Sequence, residues 1–332
     1  GSASCSLRLG NTSTPHGSQA PPRLGLGLAA LGRPGYITVE HARDLAGSYE
    51  PGAMAQRTQA VLDDAYAAGV RYFDAARSYG RAEDFLASWL AQRRIAPGAV
   101  IVASKWGYTY TAAWRVAAEH HEVKDHSLAT LRRQLAETRA RLGAHLSLYQ
   151  IHSATLESGV LTDGAVIDEL ARLKATGLRV GLTLTGAAQS DVLRRALEIR
   201  RDGRHVFDAV QATWNLLERG AGVALEEAHG AGIRVIVKEA LANGRLTERH
   251  APALLRQEAA RLDTTVDALA LAAALARPWA DVVLSGAATP DQLRSNLRAV
   301  KVSWTAETDA RLQSLAMESG AYWRERSALP WN

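Results

Sequence analysis

From Leu24 onward one unit recurs along the chain. A short apolar or β-branched run is followed by a loop, then by an Ala-, Leu- and Arg-rich stretch with helical periodicity. The apolar runs are Leu24–Leu28, Val70–Phe73, Val100–Ala103, Leu146–Ile151, Arg179–Leu184, Ala209–Ala212, Ile233–Val237 and Val282–Leu284, eight in all. The helical stretches include Arg57–Ala68, Glu83–Arg93, Leu128–Leu142, Gly164–Ala175, Asp191–Arg201, Gly222–His229, Thr265–Ala276 and Pro290–Val300. Gly69, Gly143, Gly177 and Gly232 stand just past the last periodic residue of four of them, where a left-handed C′ residue is wanted. Strands alternating with helices pair in parallel through crossover helices. Eight such units of uniform composition predict an α/β fold, a closed (β/α)₈ barrel, rather than an open sheet. The fingerprint G-x-G-x-x-G is absent, and the fragment Gly25-Leu26-Gly27 carries no weight. Thr305–Met317 reads as one extra C-terminal helix, followed by a Trp-rich tail with Trp323 and Trp331. Residues 1–22, rich in Gly, Ser, Thr and Pro, read as a disordered tail in which Gly1-Ser2 is a cloning remnant, and residues 23–332 as the barrel domain.

Composition narrows the function. The chain has 332 residues, 47% of them hydrophobic, enough for one large core. The 39 basic and 34 acidic residues are interspersed, so no basic face for nucleic acid is expected. A mildly basic surface suits an anionic small molecule such as a dinucleotide. The lone cysteine, Cys5, excludes an internal disulfide and a Cys-based metal site. The longest apolar stretch, Val266 to Ala276, is too short to span a bilayer, so no membrane partner and a cytoplasmic location are expected. Oligomeric state is not fixed by the pattern.

In a (β/α)₈ barrel the chemistry gathers at the C-terminal ends of the strands. After Val70–Phe73 comes Asp74, with Tyr79 five residues on beside Gly80. After Val100–Ala103 comes Ser104-Lys105-Trp106-Gly107, and after Leu146–Ile151 comes His152-Ser153. Singly, these read as a cap, an ion pair and a satisfied core histidine. Together, on three successive strands, they suggest one mechanism. A Tyr hydroxyl, with a reference pKa of about 10, is a poor acid at neutral pH. A neighbouring Lys ammonium favours the tyrosinate, so Lys105 is expected to lower that pKa and make Tyr79 a usable general acid. Asp74 would hold Lys105 charged, and His152 would donate to and polarise a carbonyl oxygen. Proton delivery to oxygen then requires hydride delivery to carbon from a cofactor.

The segments Asp74-Ala-Ala-Arg-Ser-Tyr79-Gly80, Ser104-Lys105-Trp106-Gly107 and Tyr149-Gln-Ile-His152 resemble the three catalytic signatures of the aldo-keto reductase superfamily. The resemblance runs from Leu24 to Val300. It implies an NAD(P)H-dependent barrel reductase with Tyr79 as acid, Lys105 and Asp74 as its tuners and His152 as carbonyl orienter. Members with Glu in place of this His reduce carbon–carbon double bonds, so His152 points to an aldehyde or ketone as the small-molecule substrate, or an alcohol in reverse.

The same resemblance places the nicotinamide over strands five and six. It assigns Ser153, Thr183, Gln211 and Asn215 to the neighbourhood of the carboxamide, and Trp214 to the stacking position normally held by Tyr. Trp supplies a larger flat face. The family usually ends strand five in Ser-Asn, whereas this chain has Thr183-Leu184, and Leu cannot hydrogen-bond. Leu241-Ala-Asn-Gly244-Arg245-Leu resembles the loop that wraps the pyrophosphate, with Gly244 allowing close backbone approach and Arg245 meeting an anion. Just before it, Lys238-Glu239 replaces a more usual apolar pair, as an internal ion pair or part of the substrate pocket. Gly286, Ala287, Thr289, Gln292 and Asn296 fall in the segment that resembles the adenosine-phosphate site, at a helix start suited to phosphate. Gly286 and Gln292 stand where NADPH-specific members carry Lys or Arg. The resemblance implies NADP(H), and the weakened clamp leaves NAD(H) open.

Substrate specificity in this family comes from loops, here Gly32–Gln56 and Trp106–Ser127. The second holds Tyr108, Tyr110, Trp114, His120, His121, Glu122 and His126, without H-E-x-x-H spacing, so aromatic pocket walls are expected and no metal site. A sugar, a small aldehyde or a biosynthetic intermediate would suit them. Two other readings remain: an NADP(H)-binding sensor or accessory subunit, and an aldolase-type barrel with Lys105 as Schiff-base nucleophile, which leaves Tyr79, Gln211 and Trp214 without roles.

Overall fold

A computed structural model of the chain describes residues 23–36 and 49–331. The tail 1–22 with Cys5, and part of the loop Gly32–Gln56, lie outside the described residues. Eight strands form the closed barrel: β1 (Leu24–Gly27), β2 (Tyr72–Asp74), β3 (Ile101–Trp106), β4 (Leu146–Ala154), β5 (Arg179–Leu184), β6 (Ala209–Thr213), β7 (Arg234–Lys238) and β8 (Val282–Ser285). Each pairs in parallel with its sequence neighbours, and β1 closes against β8 through Leu24–Val283. The outer layer contains α1 (Pro51–Ala67), α2 (Ala82–Gln92), α3 (Leu128–Leu142), α4 (Gly164–Ala175), α5 (Gln189–Glu198), α6 (Gly222–Gly230), α7 (Ala253–Arg261), α8 (Val266–Leu275) and α9 (Pro290–Leu297). Two further helices follow, α10 (Ala306–Leu312) and α11 (Ser319–Ser327).

Strand parity positions the site. Tyr72, Ala103, Leu148, Ala209, Ile236, Val282 and Leu284, from six strands, pack into one cluster, which only the barrel interior allows. Successive strand residues face opposite sides. Two residues further along, Asp74, Lys105, Gln150, Gln211 and Lys238 therefore point inward at the next level up. The alternate residues, among them Ile151, Val210, Ala212, Val235 and Val237, pack outward against the helices.

The eight strands begin at or within two residues of the apolar runs, but several helices differ from the periodicity. Helix α1 begins at Pro51, with Glu50 accepting from the Ala53 amide and Pro at the first helical position. The stretch expected as Asp191–Arg201 is helical only over α5, because Arg200–Arg201 pairs antiparallel with Arg204–His205. Asp202 and Gly203 make that hairpin turn with φ of 51° and 74°, the Asp-Gly signature of a type I′ turn. Helix α9 stops at Leu297 and tightens into a 3₁₀ turn over Arg298–Lys301. Helix α10 ends at Leu312, with a 3₁₀ turn over Gln313–Leu315, and the Trp-rich tail contains α11. Among the described residues no helix is long and apolar enough to cross a membrane, and no cluster of metal ligands occurs.

Candidate active site

The barrel's C-terminal mouth opens into a cavity of about 580 Å³. Its lining runs from Asp74, Tyr79, His152 and Gln211, past Lys238, to Ser285, Gly286, Gln292 and Asn296. That volume lies within the usual range for a bound small molecule or cofactor.

Lys105 is buried at the centre. Its ammonium donates to Asp74 Oδ2, to the Ala75 carbonyl at 3.1 Å and to the Tyr79 oxygen at 2.9 Å. An ammonium donates and never accepts, so Tyr79 Oη is the acceptor here and its own hydrogen is left for a partner in the cavity. Asp74 Oδ1 accepts from Gln150 Nε2 at 3.0 Å and Gln211 Nε2 at 3.2 Å. Four strands thus contribute to one buried network.

The loop carrying Tyr79 is fixed by a close crossing. A Cβ on Gly32 would lie 2.2 Å from the Tyr79 carbonyl oxygen, and one on Gly80, where φ is +60°, 2.5 Å from the Gly32 carbonyl oxygen. Only glycine fits at either position. Below the loop, buried Glu83 takes Arg77 as an ion pair and accepts from Ser104 Oγ at 2.8 Å and Thr138 Oγ1 at 2.6 Å.

His152 stands beside Tyr79, ring edge to face, with centroids 5.6 Å apart. Its Nδ1 lies 3.4 Å from Ser78 Oγ, and its carbonyl accepts from His126 Nε2 at 2.8 Å. At the next residue, Ser153, φ is +52° and the β4–β5 register shifts, which ends the regular strand at the cavity wall.

Electrostatics refine the expected roles. Burial, then the Asp74 carboxylate, push the Tyr79 hydroxyl well above its usual pKa, against Arg33. The hydroxyl is thus raised rather than lowered, with burial and Asp74 outweighing Arg33. Tyr79 keeps its proton at neutral pH. Burial also lowers the Lys105 pKa, opposed by Asp74. His152 is held well below the usual imidazole range by burial and by Lys105 and Lys238, so it is neutral.

Burial pulls His126 down to about 4. Below the unfolded-state value of about 6.5 the unfolded chain takes up a proton that folded His126 refuses. Stability should therefore fall between about pH 6.5 and 4, by on the order of 3 kcal/mol from His126 alone. Thermal unfolding measured against pH in the native protein and in His126→Gln checks this. An unchanged slope in the variant would mean that folded His126 is protonated.

Not every residue singled out in the sequence reaches the cavity. Ser153, Gln211, Leu241, Gly244, Gly286, Ala287, Gln292 and Asn296 line it. Trp214 does not. It follows inward-facing Thr213 and so faces the helical layer, edge-on to Trp279. Thr183 is buried with its hydroxyl accepting from the Ser153 amide at 2.8 Å, and Thr185 lines the cavity instead. Asn215 staples its own turn, accepting from the Leu217 and Glu218 amides and donating to the Glu239 carbonyl and Tyr322. Arg245 leans over the Tyr322 ring and pairs with Glu325. Thr289 caps α9 through the Gln292 amide. Arg33, Tyr36 and Arg249 line the cavity without a role from the sequence, and Lys238, read there as an internal ion pair or part of the substrate pocket, lines it too. Gln150 itself was detectable, two residues before His152 and so on the same face of β4.

On the outer side Arg33 donates to Glu122 at 3.0 Å and lies over the rings of Tyr79 and Trp331. Trp331 stacks on His121, with centroids 4.1 Å apart and planes 10° off parallel. Tyr36, Tyr108 and Trp331 line the cavity together with Tyr79.

Comparison with known proteins agrees with this architecture. A family model described as "Aldo/keto reductase family" matches residues 23–316. The chain is similar to the holo form of an aldo-keto reductase from Bacillus halodurans, with 22% identity, a TM-score of 0.66 and coverage of 89% of this chain and 92% of that one. It is also similar to a thermostable aldo-keto reductase solved with the inhibitor epalrestat, with 20% identity, a TM-score of 0.61 and coverage of 92% and 98%. No curated protein matches at a significant level.

Proposed function

The chain belongs to the aldo/keto reductase family, a family of carbonyl oxidoreductases, and from that premise we propose that it reduces an aldehyde or ketone with NAD(P)H. The observation that carries the reading is the Lys105–Tyr79 hydrogen bond, which leaves the tyrosine's proton facing the cavity. A bound dihydronicotinamide would supply the hydride to the carbonyl carbon. Tyr79 gives its proton to the carbonyl oxygen, which neutral His152 orients through an imidazole N–H. Lys105, oriented by Asp74, donates to the tyrosine oxygen and supplies positive charge as that oxygen loses its proton. The balanced result is an alcohol and the oxidised cofactor from carbonyl, reduced cofactor and one proton.

The residues present fit such a cofactor. Gln211 and Ser153 offer polar contacts to a carboxamide, and Gly286 and Ala287 lead into helix α9, where a Cβ on Gly286 would meet nothing within 4 Å. Steady-state consumption of NADPH and NADH with a panel of sugars and small aldehydes tests the reading. Cofactor binding without turnover of any carbonyl would favour a sensor instead.

The cofactor's adenosine end would be held by Gln292 near the carboxylates Asp267 and Asp291, with Arg249 as a cation lining the same cavity. A single charged hydrogen bond to phosphate is worth about 1.5–3 kcal/mol, or roughly 10- to 150-fold. NADPH is therefore expected to bind more tightly than NADH by no more than about that factor. A preference above about a thousandfold in a fluorescence titration would reveal a stronger 2′-phosphate clamp.

A further inference from the structure

Lys238 ends β7 and, two residues beyond inward-facing Ile236, points into the barrel mouth. Three other basic residues in and around the tetrad of Asp74, Tyr79, Lys105 and His152 have carboxylate partners. Lys105 pairs with Asp74, Arg33 with Glu122, and Arg326 with Glu239 at 2.8 Å. Among the described residues the Lys238 ammonium makes no hydrogen bond or close ion pair, and Glu239 beside it is turned to Arg326. Lys238 is partly buried and lines the cavity, and a charge that loses some of its hydration there without a partner needs a physical reason.

Its place in the cavity supplies one. Lys238 lines one cavity with Asp74, Tyr79 and His152 and, on the neighbouring strand β8, with Ser285, and it lies close enough to Asp74, Lys105 and His152 for their charges to interact. On the functional reading above, the cofactor's redox-active ring must lie against Asp74, Tyr79, Lys105 and His152, within reach of the Lys238 charge. Oxidation gives that ring a positive charge and reduction leaves it neutral. We propose that Lys238 sets a positive charge against the nicotinamide, so that this protein holds the reduced cofactor more tightly than the oxidised one. Trp214, facing outward, does not take that place. The consequence for carbonyl reduction is easier release of the spent cofactor, since its ring gains a charge beside a like charge.

The discrimination should depend on pH. Burial brings the Lys238 amine down to about 8, with Glu239 opposing and Arg326 and Lys105 adding to the shift. The groups that face it are Glu239 on its own strand end, Arg326 on α11, Lys105 on β3, Asp74 on β2 and His152 on β4. Below about pH 8 the ammonium is charged and the preference is present; above it the amine is neutral and the preference fades.

The test is equilibrium titration of the full-length protein with NADPH and with NADP⁺, following ligand fluorescence for the first and heat for the second. For like charges a few ångströms apart near a protein surface, the ratio of the two Kd values should fall by about tenfold in Lys238→Met and be kept in Lys238→Arg. In the native protein the same ratio should shrink as pH rises from 7 to 9.5, and this arm holds even if the methionine variant folds poorly. A ratio unaltered by both substitution and pH overturns the inference while leaving the cofactor reading intact. If neither cofactor binds the native protein, the functional reading fails and the inference with it. If Lys238→Met leaves the ratio unchanged but raises KM for carboxylate-bearing carbonyls alone, Lys238 is a substrate anion site, and the inference is again overturned.

Discussion

Tyr79→Phe is expected to lower kcat by about 10²–10⁴-fold, the usual contribution of a positioned general acid. The substitution removes one oxygen and keeps the ring, so the edge-on packing against His152 and the Arg33 contact remain. Cofactor Kd should stay within a few-fold, since the lost oxygen serves the proton transfer rather than the ring that binds. Tyr79 accepts from Lys105 and its proton faces the cavity, so no other side chain in the network is placed to deliver that proton. Lys105→Met should lose a comparable factor, because the tyrosine oxygen then loses its one fixed donor and the cation in contact with it. The two losses should not add in the double variant, as both act on one proton transfer. Single-turnover rates with NADPH and a reactive aldehyde measure this without product release. A near-normal rate in Tyr79→Phe would remove it as the acid and leave His152 as the next candidate.

The tetrad was legible in the sequence because strand ends in a barrel are fixed by a short-range pattern. The apolar runs of β2 and β4 break at Asp74 and His152 and that of β3 one residue before Lys105, and the order of the runs along the chain puts these three on neighbouring strands. Strand parity past the end of the run is what the resemblance does not carry. The resemblance puts Trp214 at the stacking position, yet inward Thr213 turns the following side chain outward. For Lys238 the sequence leaves an internal ion pair and a pocket residue open, because a charge on an inward position breaks the apolar pattern; the side chain lines the cavity. Helix α11 was illegible for a different reason. Its anchors are Glu218, which accepts from Trp323 Nε1 at 2.8 Å, and Asn215, which donates to Tyr322 at 3.0 Å, both about a hundred residues upstream in the chain. No local pattern reports such a contact. The Arg200–Arg204 hairpin was legible and overlooked, its Asp-Gly turn hidden in a run that otherwise reads as helix.

The Lys105–Asp74 pair sets the second large effect, on stability rather than rate. Both side chains are almost wholly buried. Removing one member of such a pair strands the other charge and typically costs about 3–5 kcal/mol. Lys105→Met should therefore lower Tm by on the order of 10 °C. Asp74 keeps the Gln150 and Gln211 amides as donors, so the loss should fall at the lower end of that range. Removing both charges together, in Asp74→Asn/Lys105→Met, leaves neutral groups that the two glutamines still engage. The double variant should recover a large part of the lost Tm while recovering none of the lost activity, since the tyrosine oxygen remains without its donor. Scanning calorimetry of the native protein, both single variants and the double variant between pH 5 and 8 reads all four corners of the cycle. Additive losses in the double variant would mean that the two side chains stabilise the barrel separately and that the buried ion pair is not a unit.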